Sequence, residues 1–282
     1  LYWSHCGSYR MPKTAHLMGK PPVENLDDLV SLGREVAEHG FDTLKTNIFL
    51  FEPEFHMHQP GFARSEGWPE LNPSPAVITA MRDQIAALRE GAGPDMQILL
   101  DLNFNYRTEG FLAVARALDD LGLAWYEIDI YDPEALRRIR DSVQTPIASC
   151  ESLFGLRGFR PFFEAQAMDV AIVDVPWNGI WTSRKIAGLA EAHEINVAPH
   201  NFYGHLSTMM SAHFCASLPN FRIMEIDIDD VPWKDDLVTN APVIVDGRMQ
   251  VPDGVGWGTD LNEEAIRAHP PADPQRHDKG MG

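Results

Sequence analysis

Short apolar runs alternate with segments of helical periodicity along most of the chain. The runs at 1–4, 43–49, 97–102, 124–128, 146–150, 170–173, 196–198 and 222–226 are candidate strands. Several are continuously apolar, such as Ile98-Leu99-Leu100 and Val170-Ala171-Ile172-Val173. That is the pattern of parallel strands buried on both faces. Helical stripes lie between them. Leu26, Leu29, Val30, Gly33, Val36 and Ala37 recur at helical spacing and stop at Gly40, a residue suited to helix termination. Ser74-Pro75 reads as an N-cap followed by a first-turn proline, with Val77, Met81, Ile85 and Leu88 inward. Phe111, Val114, Ala115, Leu118 and Leu121 form a stripe ended by Gly122, and 133–141, 156–165, 182–193 and 206–217 continue the series. Eight β/α alternations predict an α/β fold closed as a parallel (β/α) barrel of the TIM type. The alternative, an open doubly wound sheet, wants a glycine-rich phosphate turn after an early strand; no GxGxxG or GxxxxGK[ST] occurs.

Two segments break this rhythm. The connection at 50–73, rich in Pro, Phe and His, leaves the C-terminal end of the second strand. Connections that long are usually functional or disordered, and this one is expected to wall the active site. Its His56 and His58 are candidates for binding metal or substrate, or else solvent-facing loop histidines. The barrel is expected over 1–227. Residues 228–268 form a C-terminal segment with strand-like pieces at 242–245 and 249–251, and the polar, proline-rich tail at 269–282 is expected to be disordered. The chain begins at Leu1, already inside a strand pattern, so an upstream segment is expected to be missing.

The length of 282 residues accommodates one such barrel, which typically needs about 250. A net charge of −18 and the absence of any basic cluster beyond Arg137-Arg138 and Arg140 exclude a nucleic-acid footprint. No apolar run is long enough to span a membrane and no signal peptide is visible. Cys6, Cys150 and Cys215 are few, odd in number and scattered, which suggests a reducing compartment and a cytoplasmic protein.

Acidic residues recur where strands three, four and five end: Asp101, Glu127 and Glu151. Consecutive barrel strands are neighbours, so these carboxylates converge. Their repulsion in a partly buried mouth is of the order of several kcal/mol at an effective dielectric of about 20, and a divalent cation removes it. Oxygen ligands suit Mg²⁺ or Mn²⁺ rather than Zn²⁺. The competing explanation is three unrelated helix-capping or loop acids. On the second strand Lys45 and Asn47 share a face. Asp174 ends the sixth strand, His200 the seventh, and Glu225 sits near the end of the eighth. Ionisable groups on the C-terminal rim of a barrel are typically catalytic, and Asp174 beside His200 is placed to orient the ring of a general base.

Leu44-Lys45-Thr46-Asn47, Asp101-Leu102-Asn103, Trp125-Tyr126-Glu127, Ser149-Cys150-Glu151, Asp174 with Asn178-Gly179-Ile180, Ala198-Pro199-His200-Asn201, and Glu225 together resemble the barrel domain of the enolase superfamily, in the mandelate racemase subgroup. The resemblance runs from Leu1 to about Asp260. It implies removal of a proton α to a carboxylate, with one Mg²⁺ held by Asp101, Glu127 and Glu151. His200 with Asp174 becomes a general base or acid, and Glu225 a hydrogen-bond donor or electrostatic partner of the substrate carboxylate. Lys45 adds positive charge for the developing enediolate, and Asn47 and Asn103 contact substrate.

The chain departs from the family pattern in four ways. Lys45-Thr46-Asn47 replaces the usual Lys-x-Lys, so the second lysine base is absent. Galactonate dehydratases look similar in having Lys-x-Asn, but carry a His where this chain has Asn103. Ile128 replaces the second acid of the common Glu-Glu-Pro. The N-terminal capping domain of the family is missing from this chain, and residues 228–268 are expected to pack against it. The leading expectation is a Mg²⁺-dependent sugar-acid dehydratase, acting as a homo-oligomer on a small carboxylate. The alternatives are an epimerase, racemase or cycloisomerase, and an inactive metal-containing barrel that binds sugar acids.

Overall fold

Eight short parallel strands carry the fold in a computed structural model that describes residues 1–62 and 72–270. They are β1 (Tyr2–Trp3), β2 (Thr43–Thr46), β3 (Gln97–Asp101), β4 (Trp125–Glu127), β5 (Ile147–Ser149), β6 (Val170–Asp174), β7 (Asn196–His200) and β8 (Glu225–Ile226). Each run expected from the sequence overlaps one of them, and β6 and β7 continue past their expected ends to Asp174 and His200. The hydrogen-bonded order is β8-β1-β2-β3-β4-β5-β6-β7, so the last strand has come round to pair with the first. Between β7 and β8 the ring is completed by a parallel bridge of Val197 with Phe221. Around it, Val197 N–H donates to Asn220 O and Arg222 N–H to Val197 O, both at 2.9 Å.

Seven helices follow the expected stripes, α1 (Leu26–Glu38), α2 (Pro75–Ala92), α3 (Thr108–Leu118), α4 (Pro133–Arg140), α5 (Gly155–Glu164), α7 (Ile180–Glu191) and α8 (His205–Ala216), and the one-turn α6 (Val175–Asn178) is an addition that the sequence pattern does not predict. Ser74 caps α2 by accepting from Val77 N–H at 3.3 Å. Asn25 and Asp28 cap α1 reciprocally, satisfying donors that a helix start otherwise leaves free. Helices α1 and α2 touch backbone to backbone. A Cβ at Gly91 would lie 1.8 Å from the Val30 carbonyl oxygen, and one at Gly33 2.4 Å from that of Leu88.

Two apolar layers result. The larger lies between strands and helices and includes Leu29, Leu44, Ile98, Leu100, Phe111, Tyr126 and Phe163. The smaller fills the barrel: Tyr2, Leu99, Trp125, Ala148, Val170, Ile172 and Ala198. Large and small side chains share that interior, and Tyr2 meets Trp125 edge-on at 5.8 Å. This inner layer sets the parity of the strands. Two residues beyond Leu99, Trp125, Ile172 and Ala198 come Asp101, Glu127, Asp174 and His200, so the same alternation that packs the barrel aims these four into its C-terminal mouth.

The second strand ends earlier than its apolar run. Gln84 of α2 donates to Asn47 O at 2.6 Å and accepts from Phe49 N–H at 3.0 Å, taking backbone groups that would have extended the ladder. Phe49–Leu50 instead pairs antiparallel with His56–Met57. In the segment at 228–268, Ile244–Val245 and Arg248–Met249 form a hairpin across Asp246-Gly247, both at positive φ. The Leu1 amino group donates to Gly247 O at 2.7 Å, so this hairpin packs at the starting end of the strands, away from the mouth. Other parts of the segment lie against the start of α8, where His205 meets Asp235 at 2.6 Å. The tail at 269–282, apart from its first two residues, and positions 63–71 of the long connection fall outside the described residues.

Candidate active site

The mouth of the barrel is built around Lys45. Its ammonium lies 2.8 Å from Glu225, 3.2 Å from Glu127 and 3.6 Å from Asp101. All four side chains are buried. Burial opposes the lysine charge, but Glu127, Glu225 and Asp101 outweigh it and raise the Lys45 pKa well above its ordinary value. Glu225 also accepts from Ser4 Oγ at 2.5 Å and from Asn201 N–H at 2.7 Å. Against its burial, Lys45 and the nearby His200 and His5 hold it well below the usual carboxylate range. An ionised Glu225 accepts hydrogen bonds and donates none.

Asp174 and His200 are register partners on β6 and β7. His200 Nδ1 lies 2.8 Å from Asp174 Oδ2. Asp174 is fixed in turn by Trp177 N–H at 2.7 Å and Tyr203 O–H at 2.5 Å. Burial disfavours a charged His200, yet the Asp174 hydrogen bond and the charges of Glu225 and Glu151 push its pKa up to about 9. With Nδ1 turned to Asp174, Nε2 is the atom free for proton transfer; it lies 3.5 Å from Glu151.

Asp101 and Glu127 are register partners on β3 and β4. Glu151 reaches the mouth by another route: Cys150 is left-handed, φ 90°, and this breaks the alternation after β5. Burial raises Glu127 and Glu151, reinforced for Glu127 by Asp101 and for Glu151 by Asp129. Among the described residues, no three metal-ligating side chains are gathered tightly enough to hold an ion as they stand. Lys45 lies against Asp101 and Glu127, and Glu151 leans toward His200. The donor set nevertheless fits a hard divalent cation. It is all carboxylate, two of its members are driven toward protonation by burial and then by neighbouring carboxylates, and the neighbouring Asp129 keeps a buried Oδ2 with no partner.

Asn47 accepts from Ser8 Oγ at 2.6 Å and donates to Asn103 Oδ1 at 3.4 Å, so the two expected substrate-contacting amides adjoin. The described part of the long connection covers the loop after β3, with Gly61 N–H donating to Asn105 at 3.2 Å and Phe62 against Phe104. His56 is exposed and turned to Glu54 O, and His58 lies beside Tyr106. Neither is brought to the carboxylates.

Several groups at the mouth were not singled out from the sequence. Asp129, two residues beyond Glu127 and on the same face, is pushed up to about 7 by burial and by Glu127 and Asp101; the strand period alone was enough to find it. Ser4 likewise follows inward-facing Tyr2. Tyr203, His5 and Asp227 lie in loops, where no period applies. The small cavity of about 150 Å³ lined by Gln97, Leu99 and Arg222 opens at the starting end of the strands and contains none of these groups.

A family model described as enolase C-terminal domain-like matches residues 28–265. The chain belongs to the enolase superfamily. Its barrel superposes with a TM-score of 0.93 on the crystal structure of a Burkholderia xenovorans strain LB400 protein solved, bound to magnesium and fumarate, under the provisional name L-alanine-DL-glutamate epimerase. The two are 50% identical, over 99% of this chain and 70% of that one. A mandelate racemase/muconate lactonizing enzyme-like protein from Rubrobacter xylanophilus DSM 9941 is 30% identical, with a TM-score of 0.76, over 86% of this chain and 61% of that one. The D-xylonate dehydratase of Haloferax volcanii is 29% identical over 240 residues, 84% of this chain and 56% of the enzyme. This superfamily barrel thus spans about half the length of the curated relatives it matches. No helix among its described residues is long and apolar enough to cross a membrane.

Proposed function

We propose that this enolase superfamily barrel dehydrates a sugar acid, aldonic or aldaric, to a 2-keto-3-deoxy acid. The observation that carries the reading is the His200–Asp174 pair at 2.8 Å beside the buried cation of Lys45. In its neutral form, favoured as pH rises toward about 9, His200 takes the proton α to the carboxylate at Nε2. Asp174 holds the ring in the tautomer that frees Nε2 and stabilises the imidazolium that forms. Lys45 remains charged and offsets the negative charge that develops on the substrate carboxylate as the enediolate forms. Asn47 and Asn103 bind substrate hydroxyls, and loss of the β-hydroxyl completes the elimination. Asp101, Glu127 and Glu151 would hold Mg²⁺, which when bound supplies Lewis-acid stabilisation to the substrate carboxylate. Similarity to a D-xylonate dehydratase supports this choice.

The test is a panel of aldonic and aldaric acids incubated with Mg²⁺ and assayed for 2-keto acid. Formation of a 2-keto-3-deoxy acid from one of them is expected. Configurational change without water loss would favour a second reading, an epimerase, which the name of the magnesium-bound neighbour suggests. Against that reading stands Asn47, which has no proton-accepting nitrogen where a second base would sit.

A further inference from the structure

A second histidine–aspartate pair stands at the mouth. His5 follows β1 and Asp227 follows β8, and His5 Nδ1 lies 2.8 Å from Asp227 Oδ1. Tyr9 O–H donates to the other oxygen of Asp227 at 3.2 Å. The His5 ring lies against Tyr9 at 5.0 Å. His5 and His200 flank one ring, Phe202, at 6.0 and 4.9 Å between centroids. Ser4 joins the pair to the charged floor: its hydroxyl donates to Glu225 at 2.5 Å and lies 3.1 Å from His5 Nδ1. The His5 backbone is left-handed, φ 46°, a conformation uncommon for a non-glycine residue and often found where function demands it. With Nδ1 turned to Asp227, Nε2 has no hydrogen-bond partner among the described residues, and the side chain is 18% exposed.

Packing does not require this arrangement. A core histidine would satisfy both nitrogens; this one is oriented through Nδ1 and leaves the other free, as His200 is oriented by Asp174. Burial opposes a charged ring, but Asp227 and Glu225 outweigh it and raise the His5 pKa. Dehydration needs both a base and an acid, since hydroxide is a poor leaving group. Lys45 is tied into the carboxylates of the floor, Asn47 cannot donate a proton to a leaving group, and Asn103 stands where some relatives are expected to carry a histidine.

We propose that His5, positioned by Asp227, is the acid that protonates the departing β-hydroxyl. The inference rests on the dehydratase reading. His200 first removes the α-proton and the Cα–H electron pair passes into the substrate carboxylate as the enediolate; in a second step that pair returns to form the Cα–Cβ double bond. The Cβ–O bond breaks with its electron pair on oxygen, and that oxygen takes the proton of His5 Nε2 and leaves as water. His5 ends neutral and His200 protonated, so one proton passed between them through solvent restores both. The enol released becomes the 2-keto-3-deoxy acid.

The test uses His5→Asn, because asparagine tolerates the left-handed backbone and its amide can donate to Asp227. Full chain, Mg²⁺, the aldonic acid that the wild type dehydrates, and its 3-deoxy-3-fluoro analogue are required. Fluoride leaves without protonation. His5→Asn is expected to slow water loss by about 10²–10⁴-fold, the range of general acid catalysis. It should leave α-proton exchange with D₂O, read by NMR, within about threefold of wild type on an order-of-magnitude scale, and should eliminate fluoride at close to the wild-type rate. Asp227→Asn should show the same selective loss and the same recovery. Unchanged dehydration in His5→Asn, or equal loss of exchange and fluoride elimination in a variant with a wild-type melting curve, would overturn the assignment. A wild-type chain that exchanges the α-proton but dehydrates no acid would overturn the dehydratase reading itself, and this appears before any variant is made.

Discussion

Lys45 and Glu225 meet at 2.8 Å in the floor of the barrel mouth, with 2% and 0% of their side chains exposed. A lysine held this way is favoured in its protonated form, and in the proposed reading it acts as a fixed positive charge and not as a base. Lys45→Met is expected to lower kcat by roughly 10²–10³, comparable to loss of an oxyanion donor. It should keep the shape of the pH dependence of α-proton exchange but move it to higher pH, because the Lys45 charge opposes that of His200. A pH profile that changes shape in Lys45→Met would mean that the lysine titrates in turnover.

His200→Asn should abolish both dehydration and exchange of the α-proton with D₂O. His200 is the base in this reading, and Asn47 cannot replace it. The decisive measurement is NMR of the substrate recovered from the variant. Deuterium at the α-carbon would show that another group reaches that proton.

Asp101→Asn removes one charge from a crowded carboxylate set. Weaker Mg²⁺ binding is expected, by roughly tenfold or more, in line with loss of a ligand or of its immediate support. Titration calorimetry with Mg²⁺ alone reads this without any substrate. Affinity equal to wild type would place the cation elsewhere.

A structural network holds the His5 loop. Arg10, 2% exposed, donates to Glu35 at 2.6 Å and to Asp229, itself fully buried, at 2.7 Å. Arg10→Met leaves Asp229 buried and unpaired, and should cost about 3–5 kcal/mol in chemical denaturation. The pH dependence has a definite sign. Burial raises Glu35, but Arg10 and Lys20 outweigh it and lower its pKa from 4.5 to about 2. A lowered folded-state pKa gives stability that is present above pH 4.5 and lost as pH falls toward about 2. The wild type should lose stability through that window, and Arg10→Met should lose less of it there, having already lost the pairing at neutral pH.

The alternation of short apolar runs with helical stripes was enough to identify a parallel barrel, because strands buried on both faces must be apolar along their length and the helices between them must each bury one side. The rim groups Asp101, Glu127, Asp174 and His200 were legible for a related reason. In a barrel, the next strand in sequence is the next strand in space, and a period of two carries each inward-facing core residue to an inward-facing rim residue. Glu151 was legible only by its place at a strand end, since left-handed Cys150 breaks that period. Tertiary structure alone decided the rest. Gln84 shortens the second strand from a helix 37 residues away. Lys45 gathers charges from β3, β4 and β8, a grouping that depends on the ring closing. His5 and Asp227 stand 222 residues apart and meet only because β8 returns to pair with β1, while positive φ at His5 turns its side chain out of the strand pattern. Periodicity reports which way a side chain faces within an element; it is silent on which loops closure brings together.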